Sequence, residues 1–189
     1  DEAKRMAEEI GAIHKVIHVD ELEGAGIENN PVNRCYLCKK YMFTKVKELA
    51  HSLGVSTILE GTNADDLKQY RPGIKAIQEL GLHSPLLEAN MTKKEIRELA
   101  SAYDLKAANK PSSPCLATRF PYNTLLNYEE MRKVEKIEDY LHTLGFYNVR
   151  ARIHNDLVRL EIDQDAFMKC MDKCQEIVLF IKELGYDYV

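Results

Sequence analysis

Hydrophobic and polar residues recur along the chain with two periods. Apolar positions between Glu2 and Ile10 follow helical spacing, and the next run, Lys15 to Val19, is short and β-branched, so a helix followed by a strand is predicted. The succession repeats. A helix from Cys35 to Leu53 precedes the strand-like run Ser56 to Leu59, and a helix from Gly73 to Leu80 precedes the apolar run Pro85 to Leu87. Thr92, followed three residues later by Glu95, forms a capping box and predicts a helix to Tyr103. Strands separated by helices of this length predict an α/β fold with a doubly wound parallel sheet. In such sheets ligands bind beyond the C-terminal strand ends, here in the loops after Leu59 and Leu87.

Past the loop from Pro111 to Pro121 the pattern changes. Asn127 is predicted to cap an amphipathic helix ending at Gly145, with Glu130 completing its box. Two alternating strands follow, Asn148 to Ile153 and Leu157 to Ile162, turned by His154-Asn155-Asp156. A last helix between Ala166 and Gly185 and a short strand from Tyr186 to Val189 close the chain. The order predicts a main domain over residues 1–122 and a small α+β domain over 123–189.

Composition narrows the function classes. The 189 residues, 45% hydrophobic and 30% charged, suit a globular chain of one domain and a fraction and exclude collagen-like or low-complexity readings. The net charge of -4 disfavours a general attraction to nucleic acid or anionic membrane, so any anion site must be a local cluster. No apolar run could span a bilayer and no signal segment opens the chain, which makes a cytoplasmic protein the expectation. The chain starts at Asp1 directly in a helical pattern, as a fragment would.

The odd count of five cysteines argues against a disulfide framework and for reduced thiols. Cys170 and Cys174 lie among Phe167, Met171, Val178 and Ile181 at helical spacing and are read as packing residues. Cys35 and Cys38 form a C-x-x-C at a predicted helix start, where unpaired backbone N–H groups favour thiolate. Metal ligation, redox chemistry and plain packing all suit such a pair. Cys115 shifts the balance, because a cysteine in a Pro- and Ser-rich loop is poorly explained as core. Three thiols fit an iron-sulfur cluster with one open iron better than structural zinc, which takes four ligands.

Other groups carry weaker signals. The acidic loop Glu60-Gly61-Thr62-Asn63-Ala64-Asp65-Asp66 follows a predicted strand and could hold magnesium and nucleotide phosphates, or be a solvated turn. Arg150 and Arg152 alternate on one strand and share a face, as do Arg159 and Glu161 on the next. Paired guanidiniums suit a phosphate or carboxylate, and cross-strand Arg to Glu pairing is the bland alternative. Arg119 would add a third positive group if its loop folds onto this hairpin. The six histidines are scattered and show no metal-binding spacing.

Taken together, Asn30-Pro31-x-x-Arg34-Cys35-Tyr36-x-Cys38-Lys39-Lys40, Gly61-Thr62-Asn63-Ala64-Asp65-Asp66, Tyr70-Arg71-Pro72-Gly73, Ser84-Pro85-Leu86-Leu87-Glu88 and Cys115-Leu116-Ala117-Thr118-Arg119-Phe120-Pro121-Tyr122 resemble the LarE family of the PP-loop pyrophosphatase superfamily. The resemblance implies an adenine nucleotide alpha hydrolase-like fold and an ATP-dependent sulfur transferase. Its substrate would be pyridinium-3,5-biscarboxylic acid mononucleotide, adenylated and converted to thiocarboxylate on the way to the nickel-pincer nucleotide of lactate racemase. Cys35, Cys38 and Cys115 match a three-cysteine type, in which they would hold a [4Fe-4S] cluster as catalytic and metal-ligating residues; in a one-cysteine type the loop cysteine gives up its own sulfur. By the same resemblance Thr62, Asn63 and Asp66 would line the site of ATP and Mg2+. Arg119, Arg150 and Arg152 would hold the substrate phosphate, and Glu161 would orient them.

The resemblance further implies a first strand and a Gly-rich PP-loop ahead of Asp1, without which the chain as given should not activate a substrate. It also suggests a homo-oligomer, a dimer-based hexamer, with no nucleic-acid or membrane partner. A tRNA thiolation enzyme of the same superfamily and a non-catalytic iron-sulfur or zinc module are the competing readings; a tRNA binder should carry a basic face, which the net charge disfavours.

Overall fold

The computed structural model describes residues 2–110 and 114–189. Helix α1 spans Glu2–Glu9 and α2 spans Glu21–Ala25, the latter capped by Asp20, whose carboxylate accepts from the Glu23 N–H at 3.1 Å. Helix α3 covers Arg34–Ser52, α4 Gly73–Leu80, α5 Pro85–Glu88 and α6 Lys93–Ala102. The capping box of Thr92 and Glu95 is present at the start of α6. Helix α7 runs over Tyr128–Thr143, strands β1 and β2 over Val149–His154 and Leu157–Ile162, and α8 and α9 over Phe167–Asp172 and Cys174–Glu183.

The result is a mixed helix and sheet chain, compatible with an α/β fold, but its ladders differ from the expected ones. Among the described residues one ladder forms, the antiparallel hairpin of β1 and β2, with Arg150 opposite Glu161 and Arg152 opposite Arg159. Parallel pairing is confined to the bridges Leu59 to His83 and Leu157 to Tyr188. Residues 15–19 join no ladder, and Val16 is 64% exposed; a β-branched run becomes a strand only where a neighbour satisfies its backbone. The expected strand Pro85 to Leu87 is instead the start of α5. Proline supplies no ladder N–H, and its fixed φ suits the first helical position behind Ser84.

Two local expectations are also corrected. Asn127 accepts from the Glu130 N–H at 2.8 Å, but the Glu130 carboxylate turns to Lys133 and the Tyr186 hydroxyl. The final helix is two helices, broken at Lys173, with Cys170 and Cys174 on either side.

The core sits against the hairpin. Val134, Ile137 and Leu141 form the inner stripe of α7 and meet Val149, Ala151 and Ile153 of β1, Val158 of β2, and Ile177 and Ile181 of α9. Leu22, Ile27, Ala117 and Phe120 join the same cluster, which draws the loop after Cys115 onto the hairpin. Each fully buried aliphatic side chain contributes about 1.5–3 kcal/mol. No helix among the described residues is long and apolar enough to cross a membrane.

Candidate functional site

Three of the five cysteines share one neighbourhood. Cys35 stands in the first turn of α3 and Cys38 at the start of the second; the N-cap residue Asn33 makes no side-chain capping bond, and Cys35 is exposed. Cys115 is exposed immediately ahead of a 3-10 turn, Leu116–Arg119. Leu37 and Cys38 pack against the core cluster that also takes in Leu116 and Ala117, so helix and loop meet. The Cys38 thiol is pushed up to about 11, by burial first and then by Cys115, Glu21 and Cys35 nearby. Among the described residues no group of three or more His, Cys, Asp or Glu is arranged to hold a single metal ion. Three sulfur donors are the ligand chemistry of a thiolate-held metal or cluster.

The 3-10 turn carries this neighbourhood into an arginine pocket of about 470 Å³, lined by Arg119, Glu138, His142, Tyr147, Arg150 and Glu161 among others. Arg119 is 4% exposed, and its guanidinium donates to both Glu138 oxygens at 2.6 and 3.0 Å and to the Thr118 hydroxyl at 2.9 Å. Glu138 also accepts from the Ala151 N–H of β1 at 2.9 Å. Arg152 donates to Glu161 at 2.6 Å and to the Thr118 carbonyl at 2.9 Å. The loop therefore does fold onto the hairpin. Glu161 binds Arg152 and Arg159 but not Arg150, and its carboxyl is held below the usual range, chiefly by the hydrogen bond from Arg152. Arg150 lines the pocket with no ion-pair or hydrogen-bond partner for its guanidinium among the described residues.

The loop after Leu59 is built differently from expectation. Thr62 is buried and donates through its hydroxyl to Glu60 at 2.8 Å, and Asn63 caps the 3-10 turn Ala64–Lys68. Asp66 accepts from the Asn63 N–H and pairs with Arg71, while Asp65 pairs with Lys68 and accepts from the Lys93 N–H. Each oxygen of the two aspartates thus has one partner in the loop or beside it. Glu60 is the centre of this loop. Its buried carboxylate accepts from Thr62 and from the Ser84 hydroxyl and faces the Lys39 ammonium at 3.8 Å. Burial pushes that carboxyl up, but the bonds from Ser84 and Thr62 and the charge of Lys39 outweigh it and hold it below the usual range.

No family model matches the chain. A pyridinium-3,5-bisthiocarboxylic acid mononucleotide synthase of Lactiplantibacillus plantarum is 34% identical over 189 residues, which are all of this chain and 68% of that protein. The chain belongs to the LarE family of sulfurtransferases. An uncharacterized protein of Synechocystis is 35% identical, matching all of this chain and 71% of its own length. One of Methanocaldococcus jannaschii is 33% identical over 175 residues, 66% of its length.

The structure adds residues to this LarE-family site that the sequence reading passed over. Glu138 lies one turn past Val134 on the apolar stripe of α7, and a carboxylate on such a stripe signals a buried cation. Lys39, Glu60 and Ser84 join α3 to the loop after Leu59 across distances that sequence spacing does not show.

Proposed function

We propose that the chain takes part in ATP-dependent sulfur transfer to pyridinium-3,5-biscarboxylic acid mononucleotide, on the route to the nickel-pincer nucleotide cofactor of lactate racemase. The observation that carries this reading is the continuity from the three thiols, through the turn Leu116–Arg119, to a pocket lined by Arg119 and by Arg150, which has no partner among the described residues. Membership of a family with a synthase for the bisthiocarboxylic product supports it.

Arg150 binds the substrate phosphate, for which a free guanidinium in a pocket is suited. Arg119, in the pocket wall, and Arg152, which does not line it, are already paired and hold Thr118, and so fix Cys115 relative to the bound substrate. ATP converts the reacting carboxylate to an acyl adenylate with loss of pyrophosphate. Sulfur presented at the three-cysteine site then attacks the carbonyl carbon, and AMP leaves. A [4Fe-4S] cluster held by Cys35, Cys38 and Cys115 would carry that sulfur as an added sulfide, replaced from free sulfide after each transfer. Thr62, Asn63 and Asp66 shape the loop on the ATP side rather than offering free ligands, and no step is assigned to magnesium.

The test is turnover by the full-length protein with ATP and the mononucleotide, following AMP release and the mass gain of oxygen replaced by sulfur. Loss of sulfur transfer in Cys115→Ala with AMP formation retained supports the assignment. Unchanged thiocarboxylate formation would contradict it.

A further inference from the structure

Asn30 is fully buried, and every hydrogen-bonding group of its side chain is in use. Its amide nitrogen donates to the Phe120 carbonyl at 3.2 Å and the Pro121 carbonyl at 2.6 Å, and its amide oxygen accepts from Arg34 at 2.6 Å. Its backbone does the same work: the N–H donates to the Ile27 carbonyl at 2.8 Å and the carbonyl accepts from the Asn123 N–H at 3.0 Å. Asn30 holds this arrangement at a φ of +47°, a conformation that asparagine tolerates better than most residues.

Arg34 is 6% exposed, and its guanidinium also lies over the Tyr122 ring, 4.8 Å from the centroid. The partners matter by position. Arg34 directly precedes Cys35, and Phe120 to Tyr122 follow Cys115 across one 3-10 turn.

We infer that Asn30 and Arg34 are positioning residues that lock the first turn of α3 onto the Cys115 loop, so that Cys35 and Cys115 are held as one preset group before any ligand arrives. The inference rests on the proposed reading only in treating these thiols as one site. Neither residue touches substrate; both act through the segments they join. An amide with every side-chain group bonded, joined to a buried guanidinium, forms a rigid joint, because loosening the amide leaves buried polar groups unsatisfied.

The test uses the iron-free full-length protein with Cys170→Ser and Cys174→Ser, so that of the five cysteines in this sequence the three site thiols remain. Dibromobimane alkylates a thiol at each end with loss of bromide, and the fraction of Cys35 joined to Cys115, relative to singly labelled chain, is read by peptide mass analysis. The parent is expected to bridge efficiently. Asn30→Asp, which keeps the acceptor for Arg34 but loses both donors, and Arg34→Lys, which keeps the charge but loses the planar fork, are expected to lower the bridged fraction at least about tenfold.

Ile181→Ala, which destabilises α9 away from the joint, should leave the fraction unchanged and separates positioning from general loss of stability. Tyr122→Leu removes only the ring beneath Arg34 and keeps the test decisive if Asn30→Asp does not fold; it should lower the fraction by a smaller factor. Folded variants that bridge like the parent would overturn the inference. A parent that does not bridge would instead overturn the shared thiol site itself, so the two failures are distinguishable.

Discussion

Arg119 uses its whole guanidinium on Glu138 and Thr118, whereas Arg150, in the same pocket, meets no partner among the described residues. The two should therefore respond oppositely to truncation. Arg119→Ala strands a largely buried carboxylate and is expected to cost about 3–5 kcal/mol of stability by chemical denaturation. Arg150→Ala should leave stability within about 0.5 kcal/mol. By calorimetry it should weaken binding of the pyridinium mononucleotide by about ten- to a hundredfold, the loss of one charged hydrogen-bonding group.

Glu60 gives a pH-dependent counterpart. Its carboxyl lies below the ordinary value of 4.5, so its contribution to stability is present above that value and is lost as pH falls through the lower folded value. Glu60→Gln should therefore flatten the acid side of the stability curve below about pH 5. An acid limb as steep as that of the parent would show that Glu60 is not its source.

At the scale of elements, α7 connects the core to the pocket: Val134, Ile137 and Leu141 bury its inner stripe, and Glu138 on the same helix reaches Arg119 and β1. Asn127→Ala removes its N-cap acceptor and should cost about 1 kcal/mol, measured by denaturant unfolding. This cap, the box at Thr92, the helix Gly73–Leu80 and strand β2 were legible in the sequence because each depends on contacts a few residues apart. The strands expected at 15–19 and at Pro85 do not form, because a strand depends on partners that local pattern does not name, and a proline behind Ser84 serves a helix start equally well. The same limit applied to the site. Cys35, Cys38 and Cys115 stood out by residue type and loop context, whereas Asn30 reads only as a turn residue before a proline until Phe120 and Pro121 are seen above it.

Across the whole molecule, one cluster of buried residues joins Leu22 and Ile27 near the start to Ile177, Ile181 and Tyr186 near the end, and the Cys115 loop is folded into it. That packing brings a helix start and a loop some eighty residues apart into one neighbourhood beside the pocket lined by Arg119 and Arg150. The central claim is that these thiols act together on a cluster. Anaerobic reconstitution with iron and sulfide, followed by metal and sulfide analysis of the parent and of Cys115→Ala, tests it most directly. Iron and sulfide in the equal ratio of a [4Fe-4S] cluster, lost in the variant, is the predicted result, and a protein that takes up a single zinc and no iron would contradict it.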